Sequence, residues 1–133
     1  MSEYIGHFSL WGDFVTEEIT ELMGMQPSQV FRKGKILEGA SFPAKVSTWD
    51  LHCPPDNCKG MGEQISALLG ILWPKADVLK PLAFKFAAEL NVASSCTDGS
   101  DVFSLDQEVL QKLVALNLKL NFFYICDEDQ DAN

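Results

Sequence analysis

The stretch Tyr4-Ile5-Gly6-His7-Phe8-Ser9-Leu10-Trp11-Gly12-Asp13-Phe14-Val15-Thr16-Glu17-Glu18-Ile19-Thr20-Glu21-Leu22-Met23-Gly24 changes its hydrophobic period halfway, and that change decides the fold class. As far as Trp11 the side chains alternate as on a strand, with Tyr4, Gly6, Phe8 and Leu10 on one side and Ile5, His7, Ser9 and Trp11 on the other. Apolar residues on both sides predict an interior strand, or one partly covered on both faces. Beyond the Gly12-Asp13 turn, Ile19, Leu22 and Met23 take the spacing of an amphipathic helix. Thr16 has the chemistry of an N-cap, Glu17 and Glu18 suit the positive end of the helix dipole, and Gly24 stands where a left-handed glycine would close the helix.

The same two periods recur downstream. Ser28 to Arg32 reads as a short strand, and Lys33 to Pro43 as a loop of glycines and charges. From Lys45 to Cys53 the chain alternates, with Val46, Thr48, Asp50 and His52 opposite Ser47, Trp49, Leu51 and Cys53. Met61, Ile65, Leu68, Leu69 and Leu72 form a helical stripe that Pro74 interrupts, and a second helix carries Val78, Leu79, Leu82 and Phe86. Glu89 to Cys96 alternates as a strand. A helix capped by Asp106 follows, with Val109, Leu110, Leu113, Val114 and Leu116 toward the core and Asn117 at its end. Leu118 to Cys126 is the last strand, and Phe122 and Tyr124 are read as core.

The predicted order is β-α-β-β-α-α-β-α-β. It implies an α+β fold: one antiparallel or mixed sheet with helices packed mainly on one face, a two-layer sandwich. Residues 1–126 are expected to form a single domain and 127–133 an acidic, frayed tail.

Composition limits the function. The chain has 133 residues, 47% of them hydrophobic, enough for one core. No apolar run reaches the length of a membrane span, and residues 1–4 lack the features of a signal peptide, so a cytoplasmic protein is expected. Cys53, Cys58, Cys96 and Cys126 are accordingly read as free thiols. Nineteen acidic against ten basic side chains give a net charge of −9, which disfavours nucleic acid and anionic lipid and favours a basic protein partner.

The residues from Ser9 to Ser28, with Phe31-Arg32-Lys33-Gly34, resemble the opening of the bacterial domain-of-unknown-function 4279 family. The shared pattern is a strand, a Gly-Asp turn, a Glu-Glu-Ile-Thr helix, a Gly-x-x-Pro break and an aromatic-Arg-Lys-Gly turn. Ser47-Thr48-Trp49, Phe103-Ser104-Leu105-Asp106 and the aromatic last strand extend the likeness over nearly the whole chain. The resemblance implies the fold and no particular reaction. By analogy with small stand-alone bacterial domains that act as immunity proteins beside toxins, it is compatible with an inhibitor's role.

Catalytic and metal constellations are weak. Zinc could take His52, Cys53 and Cys58, but neighbouring residues on a strand face opposite ways, and no second closely spaced pair completes a knuckle. His7 and His52 are the only bases for a nucleophilic triad, and no nucleophile elbow is present. The paired carboxylates fall at a helix start, in loops or in the tail, and no phosphate-binding glycine motif occurs.

No catalytic, cofactor or metal residue is therefore assigned. The expected function is non-enzymatic protein binding, most concretely an immunity-type inhibitor that sets an acidic surface against a basic toxin. Trp11, Asp13, Glu17, Arg32, Lys33, Trp49, Asp98 and Asp101 are the partner-binding candidates. The alternative is a small-ligand or weakly catalytic pocket near Trp11, Trp49 and His52, and the expected state is a monomer or homodimer.

Overall fold

The computed structural model describes residues 6–36, 39, 43–54, 60–95 and 104–125, with the backbone alone at 95, 124 and 125. In chain order the elements are β1 (His7–Gly12), α1 (Thr16–Met23), β2 (Gln29–Phe31), β3 (Ser47–His52), α2 (Met61–Leu72), a 3₁₀ turn (Trp73–Lys75), α3 (Ala76–Lys85), β4 (Ala87–Ser95), α4 (Gln107–Ala115) and β5 (Lys119–Ile125). The predicted α+β order holds throughout.

The strands form one five-stranded mixed sheet in the order β2-β3-β1-β4-β5. Strand β1 is central, antiparallel to both β3 and β4. Strand β2 pairs antiparallel with β3. Strand β4 runs parallel to β5, as a connection through a helix allows and a tight hairpin does not.

Alternation sorts the side chains. Phe8 and Leu10 of β1, Trp49 and Leu51 of β3, and Leu90 and Val92 of β4 enter one core with Ile19, Met23, Ile65, Leu68, Leu72, Leu79, Leu113 and Leu116 of the helices. All four helices thus contribute to the same layer. Trp49 is wholly buried; its indole stands edge-on to Phe8 and donates Nε1–H to Thr20 Oγ1 at 2.9 Å. Thr20 in turn donates to the Thr16 carbonyl at 3.2 Å, so one bond chain fastens α1 to β3.

Several local expectations are corrected. Val15, not Thr16, precedes the first helical turn, and Thr16 is buried inside it. Leu22, Leu110 and Val114 point to solvent, because a helix lying on one face of a sheet buries a single narrow stripe. Phe122, read as core, is 43% exposed, since β5 is an edge strand covered by a neighbour on one side only. The side chain of Tyr124 lies outside the described residues. Asp106 does cap α4, accepting from Val109 N at 2.9 Å, and Gly24 and Asn117 take the left-handed conformation that ends a helix.

Gln64 of α2 extends the sheet where β1 runs out. Its amide donates to Ala93 O at 2.8 Å and accepts from Ala93 N at 2.9 Å, replacing a neighbouring strand. Gly6 makes room for it: a Cβ there would collide with Gln64 Oε1 and lie 3.0 Å from the Asn91 carbonyl.

Candidate functional site

The sheet face opposite the helices carries the chemistry. Strand pairing sets His52, His7, Asn91 and Asn121 in one row across β3, β1, β4 and β5. The next row on the same face contains Gln29, Asp50, Ser9, Glu89 and Lys119. Trp11 stands one step further along β1, beside Thr48 and Ala87.

A bond network holds the β4 side of this face. Trp11 Nε1–H donates to Glu89 Oε2 at 3.2 Å, and Asn121 Nδ2 donates to Glu89 Oε1 at 3.0 Å and to Asn91 Oδ1 at 2.9 Å. Asn91 Nδ2 lies 3.4 Å from His7 Nε2, and the rings of His7 and His52 meet edge-on at 6.1 Å. Asn91, Ser9 and Asp50 are each only 7% exposed.

Asp50 stands apart from this network. Its Oδ1 is buried and has no hydrogen-bond partner. Burial pushes its carboxyl above the ordinary aspartate value; a hydrogen bond from Ser9, and then the charges of His7 and His52, pull it partly back. A buried polar atom without a partner calls for an explanation, and a bound partner group is one.

A second feature gathers four sequence candidates. A shallow cleft of about 460 Å³ is lined by residues that include Asp13, Glu17, Arg32 and Lys33. Arg32 pairs with Glu17 at 2.5 Å, and Lys33 with Asp13 at 3.1 Å. The Arg32 hydrogen bond also lowers the Glu17 carboxyl below its ordinary value. The two cations thus clamp the β2–β3 hairpin to the start of α1, and their charge is already neutralised there. The hairpin turn itself needs Gly34, at φ +90°, whose N–H donates to Ala44 O at 2.9 Å.

Trp11 is 40% exposed on the polar face. Trp49 is the contrary case: fully buried on the helix side, it cannot touch a partner, nor share a pocket with Trp11 and His52 across the sheet. The strand alternation already grouped it with Leu51 and Cys53. His52 is exposed and Cys53 is buried, so their side chains do not converge on one ion. Among the described residues, no three His, Cys, Asp or Glu side chains form a group that could hold a metal. Asp98, Asp101, Cys58, Cys96, Cys126 and the tail 127–133 lie outside the described residues. Sequence reading missed Asp50, Glu89, Asn91 and Asn121 as site residues; the signal was their place among alternating apolar neighbours.

Antiparallel and parallel register together bring Gly6–His7, His52–Cys53, Ser95 and Ile125 to the same end. The sequence stretches adjoining these points, 1–5, 55–59, 96–103 and 126–133, contain eight carboxylates and one lysine. The described residues, by contrast, hold ten carboxylates and nine cations. No described helix is long and apolar enough to cross a membrane.

No curated protein and no solved structure matches the chain. A family model described as "Domain of unknown function (DUF4279)" matches residues 2–127, so the chain belongs to that family, as the opening motifs and strand order lead one to expect.

Proposed function

We propose that the protein is a non-enzymatic binding module that engages a basic protein partner, in the manner of an immunity-type inhibitor engaging a basic toxin. The observation that carries this reading is the placement of charge. Most of the acidic excess belongs to sequence stretches that follow or precede strand ends Gly6–His7, His52–Cys53, Ser95 and Ile125, while the described residues are close to neutral. An excess of one sign of charge attracts a partner of the other sign.

The polar sheet face supports binding rather than catalysis. Ser9, His7, His52 and Asp50 share the face, but Ser9 bonds to Asp50 and His7 approaches Asn91. A nucleophile-base-acid relay would instead need the serine on an imidazole.

The test is neutralisation of the last acidic run, Asp127→Asn, Glu128→Gln, Asp129→Asn and Asp131→Asn together. For a partner captured from the host cell, the expected result is an association rate at least tenfold slower and a weaker dependence on salt. An unchanged rate and an unchanged salt dependence contradict the reading.

A further inference from the structure

The face centred on Ser9 holds more negative charge than its own residues neutralise. Asp50 and Glu89 flank Ser9 on the two neighbouring strands, and Trp11 lies two residues further along β1. Two inter-strand spacings set the Asp50 and Glu89 backbones about 10 Å apart. Glu89 accepts from two neutral donors, the Trp11 indole and the Asn121 amide. Asp50 Oδ1 accepts from none and is buried. The ion pairs among the described residues, Arg32–Glu17, Lys33–Asp13 and Lys112–Glu108, all lie elsewhere. Even Lys119, the register partner of Glu89, makes none with it.

Two carboxylates either side of a small hydroxyl, with an indole at the margin, match one kind of cation. A guanidinium is planar, presents five donors in a fork and stacks on aromatic rings. An ammonium is a compact point charge, strongly hydrated, and cannot bridge two carboxylates in a plane. Uncharged amides supply donors without the charge that the paired carboxylates require.

We infer that this face seats one guanidinium group, an arginine side chain of the partner, which donates to Asp50 and Glu89 and lies against Trp11. The inference rests on the proposed basic partner for the source of the arginine, and on the sheet face alone for the seat. The unsatisfied Asp50 oxygen is then the one atom of the site that waits for its donor.

The seat can be tested apart from the partner. Titrate the full chain with N-acetyl-arginine amide, and separately with the lysine and citrulline amides, following the backbone amides of Ser9, Trp11, Asp50 and Glu89 by NMR. The expected result is saturable millimolar binding of the arginine probe confined to these positions. The lysine probe should bind several-fold more weakly, and the citrulline probe at least tenfold more weakly. Asp50→Asn and Glu89→Gln should each lower arginine affinity at least fivefold while the remaining amide spectrum is retained. Equal binding of the citrulline probe, or shifts absent from the Ser9 face, overturn the seat whatever a partner does. Should a captured basic partner bind the double variant as tightly as wild type, the seat is wrong and the proposed function stands. Should the arginine probe bind as expected while no basic partner exists, the function is wrong and the seat stands.

Discussion

Single side chains decide how this sheet is fastened and what its free face can do. Trp49 and Thr20 form the one polar joint in an otherwise apolar contact between β3 and α1. Trp49→Phe keeps most of the packing but removes the donor, and Thr20→Val removes the acceptor. Each is expected to cost about 1–2 kcal/mol, and the double substitution less than the sum, because both delete the same bond. Urea unfolding of the cycle measures this; strict additivity would show the bond to be worthless. Asp50 works in the opposite direction. The folded chain holds the Asp50 proton more tightly than the unfolded chain does, so stability falls as pH rises through the interval above the ordinary aspartate value of 3.8. Asp50→Asn removes that ionisation. The variant is expected to be more stable than wild type at pH 7, by about 1 kcal/mol, with the difference closing toward pH 3. Melting temperatures across that range would check it.

Elements show most directly which features a sequence makes legible. Period-two alternation identified the longer strands and, with them, the two faces of β3, because a strand offers no third direction for a side chain. That rule set Trp49 with Leu51 and Asp50 with His52, and the structure keeps both groupings. Helix faces were less legible. Val114 of α4 is 80% exposed although its spacing to Leu110 is helical, since apolar spacing marks a stripe without saying how far a neighbour covers it. The polar face was illegible for a different reason. Ser9, Asp50, Glu89 and Asn121 come from four strands, and only the register of three pairings makes them neighbours. Nothing local in β4 or β5 signals that relation. The Gln64 graft onto Ala93 was equally hidden, because an amide in an apolar helical stripe carries no mark of its partner. Gln64→Ala strands a buried N–H and a buried carbonyl of Ala93 and is expected to cost about 2–4 kcal/mol. Gly6→Ala should cost a similar amount by pushing Gln64 off the strand. Denaturant midpoints that fall at constant slope would confirm both; midpoints unchanged from wild type would contradict the graft.

The described residues combine an apolar layer of helices with a polar sheet face, and the sequence as a whole carries a net charge of −9. The helix layer explains how the chain folds. Surface ion pairs such as Arg32–Glu17 and Lys33–Asp13 are exposed and contribute little to stability, so salt should scarcely shift unfolding while strongly weakening association. The measurement that bears most directly on the basic-partner reading is affinity capture from the host cell, with wild type and the Asp50→Asn/Glu89→Gln variant compared at low and high salt. Wild type is expected to retain one protein of basic isoelectric point and to release it at about 0.5 M salt, where charges are screened beyond a few ångströms, and the variant to retain much less. Recovery of an acidic partner, or of a basic one held as firmly at high salt as at low, contradicts the basic-partner reading, and a basic one held equally by both chains contradicts the seat alone.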